Sequence, residues 1–432
     1  MKLVQITPTI LKGKVMIPPS KSVSHRAVIS ASLAEGISRI SNVILSEDIM
    51  STMDGMESLG VSVEVLDSVE ESKPVTLEIQ GNPNLKIVNE TINCRESGST
   101  LRFLIPLAGS TGSEVTFTGQ GKLVERPLDA YYEVFKEQGI YYKNNKGFLP
   151  LTVRGSIKPG TFKLKGNVSS QFITGLMFIL PLLEVDSKII ITTEMESKGY
   201  VDLTMDVLAQ FGVTIQNNNY KEFSVKGNQQ YSNRDYKIEG DYSQAAFWMV
   251  AGTIGDTITS LGLNSNSLQG DKAILEIMRA MGVDWRITSE GIETKRARTK
   301  GTIIDASQCP DLVPILAVLG ALSEGTTKII NAERLRIKES DRLKAISTEL
   351  NKLGAKIREL DDGLLIEGVQ ELTGGIVDSW NDHRIAMAMA IASLRCTGSV
   401  TVTGSDAVNK SYPHFWKDFI GLGGKIDERN MG

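Results

Sequence analysis

Two carboxylates stand among cations in a pattern suited to proton transfer. Asp311 lies in CPDLVP at the start of an otherwise apolar stretch, and Glu339 lies in RLRIKESDR beside Arg336, Lys338 and Arg342. Such a pair facing a cationic pocket can take a proton from one atom of a bound anion and deliver one to another. Cations and hydroxyls recur in further short clusters. Lys21, Ser22 and Arg26 fall in PPSKSVSHR, Gly98, Ser99 and Arg102 in ESGSTLR, and Arg126 in VERP. Ser169, Ser170 and Gln171 fall in VSSQF, Ser197, Lys198 and Tyr200 in ESKGY, His383 and Arg384 in NDHR, and Lys410 in NKSYP. Arginine grips phosphate and carboxylate bidentately and stays charged throughout a reaction. No Ser or Cys has a histidine close by in sequence to activate it, and neither His25, His383 and His414 nor Cys94, Cys309 and Cys396 show metal-ligand spacing. The reading is acid–base chemistry on a bound polyanion, with no metal and no cofactor.

These residues fall on a repeating frame. Amphipathic stretches end in glycine before an alternating segment at Gly60, Gly139, Gly212, Gly282, Gly354 and Gly423, with spacings of 79, 73, 70, 72 and 69 residues. Glycine suits the left-handed residue that ends a helix, and alternation suits a strand. A second series places a polar residue before a nearly apolar helix at Ser24, Ser97, Ser169, Asp241, Cys309 and Asn381, spaced 73, 72, 72, 68 and 72 residues. A helix apolar all round is a buried one. The two series in phase predict six units of strand, buried helix, strand, second helix and two strands. The sixth runs out one strand short, and Leu3 to Ile6 is the expected replacement, which would bring the two ends of the chain together. Buried helix starts offer free N–H groups and positive partial charge, so each is a ready anion site. The fourth start, at Asp241, supplies no evident binding residue.

With 432 residues, the chain exceeds one hydrophobic core, so two domains are expected. A net charge of −4 argues against nucleic acid as the main partner. The N-terminal MKLVQITPTILKGK lacks a signal-peptide apolar region, and the longest apolar run, Phe172 to Leu183, is too short to span a bilayer. No membrane partner and a cytoplasmic location are therefore expected. The sparse, odd cysteine count suits reduced thiols. No apolar surface stripe is evident, which favours a monomer.

Taken in order, PSKSVSHR, ESGSTLR, ERP, VSSQF, SKGYVD, PD, RIKESDR, NDHR and NKSYP resemble the enolpyruvyl transferase family, in its shikimate branch, from about Lys14 to the C-terminus. The resemblance implies an α/β protein of the inverse α/β barrel-like kind, with six βαβαββ units, three per domain. Residues 21–238 would form one domain and residues 1–20 with 239–432 the other. It implies transfer of the enolpyruvyl group of phosphoenolpyruvate to the 5-hydroxyl of shikimate 3-phosphate, with release of phosphate. By motif, Ser22, Arg26, Ser169, Ser170, Ser197, Tyr200 and Lys338 would hold shikimate 3-phosphate. Gly98, Arg126, Arg342, Arg384 and Lys410 would hold phosphoenolpyruvate, and Lys21 and Gln171 would touch both. Asp311 would contact shikimate 3-phosphate and accept its 5-hydroxyl proton. Glu339 would protonate the methylene carbon, with Lys21 as the third catalytic group. The chain departs from the family pattern at Arg334, where Asn is expected, at Gly199 in place of Pro, and at Ser99 in place of Thr. A sister enzyme acting on UDP-N-acetylglucosamine, which carries a reactive loop cysteine, and a non-catalytic anion-binding protein of the same fold are the alternatives.

Overall fold

Six short helices are buried on nearly every side, because their sequences carry no continuous polar stripe. They span Lys21–Leu33, Gly98–Ala108, Ser170–Ile179, Tyr242–Ile254, Val313–Ala321 and His383–Ala392, the fifth preceded by a 3-10 turn at Pro310–Leu312. Ser97, Ser169 and Asp241 cap the second, third and fourth by accepting backbone N–H groups on their side-chain oxygens, and Cys309 precedes the 3-10 turn. Two starts differ from the sequence expectation. The first helix is capped by Ser20, whose Oγ accepts from Val23 N; Ser24 lies a turn inside and donates to the Ser20 carbonyl at 2.8 Å. The sixth is capped by Asp382, which accepts from Arg384 N at 2.9 Å, while Asn381 sits before it with φ of 51°. An aspartate carboxylate close to the free N–H groups outcompetes the neighbouring amide for the capping position.

The six glycines of the other series all adopt left-handed backbone, with φ of 86°, 67°, 86°, 93°, 88° and 98° in chain order. Each terminates a second helix: Glu47–Ser58, Asp129–Gln138, Lys198–Gln210, Ile274–Ala280, Arg342–Lys352 and Phe415–Gly421. An L side chain there would be strained, so the helix can end and a strand begin only cheaply with glycine.

Each unit has a sheet of one pattern. In the second, Thr91–Asn93, Glu114–Thr118, Phe148–Arg154 and Tyr141–Asn145 lie side by side in that order; the first pair is parallel and the others antiparallel. Glu114–Thr118 alternates, burying Val115 and Phe117. Three sheets borrow a strand from a distant part of the chain. Lys2–Thr7 fits between Val400–Thr403 and Lys425–Asn430, antiparallel to both, with Lys2 opposite Asn430, and so completes the sixth unit as expected. Gly13–Met16 joins Ile258–Leu261 in the fourth, and Tyr231–Ser232 with Asp235–Lys237 joins Ala34–Val43 in the first. These last two loans have no signature in the repeat spacing, because a short edge strand looks the same whichever sheet receives it.

The computed structural model describes residues 2–67 and 73–430. Its chain falls into two compact units, Met1–Pro18 with Gly240–Gly432, and Pro19–Glu239, each with its own apolar core. Among the described residues no helix is long and apolar enough to cross a membrane.

Candidate active site

In the unit Pro19–Glu239, cations gather at three helix starts. Lys21, the first helical residue after the Ser20 cap, pairs with Asp48 at 2.8 Å. Arg26, one turn on, is buried; its Nε donates to Thr204 Oγ1 at 2.8 Å, Nη1 to the Ser22 carbonyl at 2.7 Å and Nη2 to the Tyr200 carbonyl at 3.1 Å. Burial lowers its pKa to about 10, so it remains a cation at neutral pH. Arg26 thereby ties the start of the first buried helix to Lys198–Gln210, whose cap Ser197 sits buried in the left-handed region at φ of 53°. His25 beside it is kept neutral by burial and by the charges of Lys21 and Arg26.

The second and third starts meet through Gln171. Its Oε1 accepts from Arg102 Nη1 at 2.7 Å and its Nε2 donates to Ser99 Oγ at 2.9 Å, while Ser169 Oγ caps Gln171 N at 3.3 Å. Ser170 is buried next to it. Gly98 opens the second helix against two guanidinium groups: a Cβ there would lie 2.7 Å from Arg126 Nη1 and 3.0 Å from Arg102 Nη1. The absence of a side chain at this point lets both guanidinium ends approach the helix start. The structure thus brings Gly98, Arg126 and Gln171 into one cluster, and Arg26, Ser22, Ser197 and Tyr200 into another.

In the other unit, charge is concentrated on Arg342, which is only 1% exposed. Its Nε bonds Asp382 at 2.8 Å, its Nη1 bonds Asp311 at 2.9 Å and its Nη2 bonds Glu339 at 2.7 Å. Asp311 turns its other oxygen to Arg384 Nη2 at 3.0 Å and has Lys338 Nζ at 3.7 Å. Burial alone would raise the Asp311 pKa; Arg384, Lys338 and Arg342 outweigh it and hold the carboxyl well below the usual range. Arg342 is pushed above its ordinary value despite burial, by Asp382, Glu339 and Asp311. Burial draws Lys338 down to about 8 against the pull of Asp311 and Glu339. Lys410 donates to the Asn381 carbonyl at 2.6 Å, just before the sixth buried helix. Asp311, Lys338, Glu339, Arg342 and Arg384 therefore form one network from three separate sequence segments.

Sequence reasoning missed Asp382, Asp48 and Ser243. Asp382 was legible as a polar residue directly before an apolar helix. Asp48 carried no local signal, since only the fold sets it beside Lys21. Ser243 gives the fourth helix start a part after all: its Oγ accepts from Arg384 Nη2 at 3.0 Å and donates to the capping Asp241. Arg334, at the family's Asn position, donates to the Ser307 carbonyl. Among the described residues no cluster of three or more His, Cys, Asp or Glu could hold a metal ion.

Six repeated α/β units, with the buried Arg342 and Arg384 ion-paired to carboxylates at helix starts, are the architecture of a protein built to hold anions. A family model described as EPSP synthase (3-phosphoshikimate 1-carboxyvinyltransferase) matches residues 6–419. The chain is 61% identical, over all of both chains, to a 3-phosphoshikimate 1-carboxyvinyltransferase of Clostridium novyi. It is 54% identical to one of Clostridioides difficile, over 99% of each. An EPSP synthase structure from Acinetobacter baumannii covers all of both chains at 25% identity with a TM-score of 0.83. The chain belongs to the EPSP synthase family.

Proposed function

We infer that the chain transfers the enolpyruvyl (1-carboxyvinyl) group of phosphoenolpyruvate to the 5-hydroxyl of shikimate 3-phosphate, releasing phosphate, in the biosynthesis of chorismate and the aromatic amino acids. The 5-hydroxyl oxygen bonds to C2 of phosphoenolpyruvate as C3 gains a proton, giving a tetrahedral adduct. Phosphate then leaves as C3 loses a proton and the double bond returns.

The observation that carries the residue assignment is Asp311 held by both Arg342 and Arg384. In the free protein those guanidinium groups hold Asp311 ionised and make it a weak base. Phosphate and carboxylate groups of phosphoenolpyruvate compete for the same donors, so substrate binding raises the proton affinity of Asp311 at the moment it is needed. Asp311 then accepts the 5-hydroxyl proton, and Glu339, three residues before Arg342 on the same guanidinium, serves the methylene carbon. Arg342, Arg384, Lys410, Arg126 and Gly98 are assigned to phosphoenolpyruvate. Ser22, Arg26, Ser169, Ser170, Ser197, Tyr200 and Lys338 are assigned, with Asp311, to shikimate 3-phosphate. Lys21 and Gln171 are assigned to both, Lys21 also neutralising charge during transfer. Guanidinium and ammonium groups placed where negative charge develops supply the electrostatic stabilisation. The division into residues 21–238 and residues 1–20 with 239–432 is read as two three-repeat domains, and the protein as a cytoplasmic monomer.

The sister enzyme acting on UDP-N-acetylglucosamine typically carries a reactive thiol in a loop. Cys94, Cys309 and Cys396 are all buried, and burial raises each thiol pKa, to about 12 for Cys309 and Cys396. A coupled assay of phosphate release with each acceptor tests the reading: turnover with shikimate 3-phosphate and none with the sugar nucleotide is expected. Release with the sugar nucleotide alone, or with neither, overturns it.

A further inference from the structure

Glu349 is a buried carboxylate that the reaction does not use. It lies two turns along the helix Arg342–Lys352, is 1% exposed, and has its charge balanced by Lys352 Nζ at 2.8 Å. Burying a carboxylate is costly unless its oxygens are satisfied. Here Oε1 accepts from the indole Nε1 of Trp380 at 2.8 Å and Oε2 accepts from Asp378 N at 2.9 Å. Both donors belong to the turn that leads from the strand Gly375–Asp378 into the sixth buried helix.

That turn is strained. Trp380 and Asn381 stand consecutively in the left-handed region, with φ of 53° and 51°. Asparagine tolerates such backbone, whereas tryptophan does not adopt it readily. A strained conformer persists where its surroundings over-determine it. Ser379 Oγ accepts from Asn381 N at 3.2 Å and the Ser379 carbonyl accepts from Asp382 N at 2.9 Å, but the tryptophan side chain itself is fixed by Glu349. The product of the strain is directional. The Asn381 carbonyl faces Lys410 Nζ at 2.6 Å, and the Asp382 carboxylate faces Arg342 at 2.8 Å.

One helix therefore grips one turn at two points, Arg342 on Asp382 and Glu349 on Trp380 and Asp378. Seven residues separate the grips, about 10 Å along the axis. We propose that Glu349 is a positioning residue: through Trp380 it holds the turn that sets Lys410, Arg342 and Arg384 in register for phosphoenolpyruvate. The proposal rests on the assignment of those three cations to that substrate.

The test is a double-mutant cycle of Glu349→Leu and Trp380→Phe in the full-length enzyme. Trp380→Phe keeps an aromatic ring and removes the indole donor; Glu349→Leu keeps about the same bulk and removes both acceptor oxygens. Steady-state kinetics are measured with each substrate varied in turn, beside thermal unfolding. Each single variant is expected to raise KM for phosphoenolpyruvate about tenfold, the factor that 1.4 kcal/mol of lost binding produces. KM for shikimate 3-phosphate should move less than about twofold, and the double variant should be no worse than the poorer single one, since both break the same contact. Unchanged KM for phosphoenolpyruvate, additive losses, or equal losses in both KM values together with a fall in Tm would each overturn the proposal. If the unaltered enzyme turns over neither substrate, the functional reading fails instead, and the two failures are told apart by that control.

Discussion

On the proposed assignment of Lys338 to shikimate 3-phosphate, substrate binding and proton uptake are linked in a way that can be counted. The Lys338 ammonium lies 3.7 Å from Asp311, and burial brings its pKa down to about 8. In the free enzyme it is then roughly nine-tenths protonated at pH 7, half at pH 8 and a tenth at pH 9. A phosphate dianion bound against it restores the ordinary lysine value of about 10.4 or more. Binding shikimate 3-phosphate should therefore draw in about 0.1 proton at pH 7, 0.5 at pH 8 and 0.9 at pH 9. The phosphate ester itself titrates near pH 6, about two units below the Lys338 midpoint; at pH 7 it still carries about 0.1 proton, which offsets the uptake there, so the values at pH 8 and pH 9 carry the test. The assay is calorimetric titration at each pH in two buffers of different ionisation enthalpy, whose difference in heat gives the proton number. Lys338→Arg keeps the charge and cannot titrate, so it should bind with uptake abolished between pH 8 and 9. The sign extends to folding: a lysine whose folded pKa is lowered opposes folding below about pH 8, and that penalty is relieved as pH rises towards about 10.4. The same uptake at all three pH values, or undiminished uptake in Lys338→Arg, would refute the reasoning.

Gly98→Ala places a methyl group on the Arg126 and Arg102 guanidinium ends; these are flexible tips, so Tm should hold within about 2 °C while KM for phosphoenolpyruvate rises, about tenfold for 1.4 kcal/mol. Asp382→Asn retains a cap acceptor but removes one of the three carboxylates on a buried arginine, for a loss of about 2–3 kcal/mol, read as a lower unfolding temperature by calorimetry. Asp311→Asn and Glu339→Gln should each lower kcat by about 10²–10⁴-fold in the coupled phosphate assay; normal turnover in both would remove them from the mechanism.

The repeat was legible because two unrelated requirements print at one period. A left-handed helix end admits glycine cheaply, so Gly60 to Gly423 recur, and a buried helix start needs a cap, so Ser97, Ser169 and Asp241 recur. Where more than one polar residue stood near a helix start, the register slipped, by one turn at Ser20 for Ser24 and by one residue at Asp382 for Asn381. The cation clusters were legible as motifs, since Lys338, Glu339 and Arg342 share one helix approach. Their mutual geometry was not. Asp311 reaches Arg384 across 73 residues and Arg26 reaches Thr204 across 178, distances over which only tertiary packing carries information. The borrowed strands Gly13–Met16 and Tyr231–Ser232 escaped for the same reason, their hydrogen bonds being made to chain more than 190 residues away.

Charge balance explains why so many carboxylates crowd an anion site. Arg342, Arg384 and Lys338 face Asp311, Glu339 and Asp382, three cations against three anions, with Arg342, Arg384 and Asp382 withdrawn from water. Three buried cations alone would repel one another and lower the lysine still further; the carboxylates keep them charged and parked. A substrate anion entering this network makes it negative unless donors are exchanged or a proton is gained. Asp382, which is fully buried and also caps the helix, is fixed in place by its backbone role. Asp311 and Glu339 each retain 18% exposure, so they are the carboxylates that substrate groups can displace from the guanidinium. Displacement frees the arginine for the incoming anion and leaves the carboxylate with fewer cations and a higher proton affinity. On the proposed assignment, binding the anion and making the base are thus one event, and the two carboxylates it would release are the two proposed for the proton transfers.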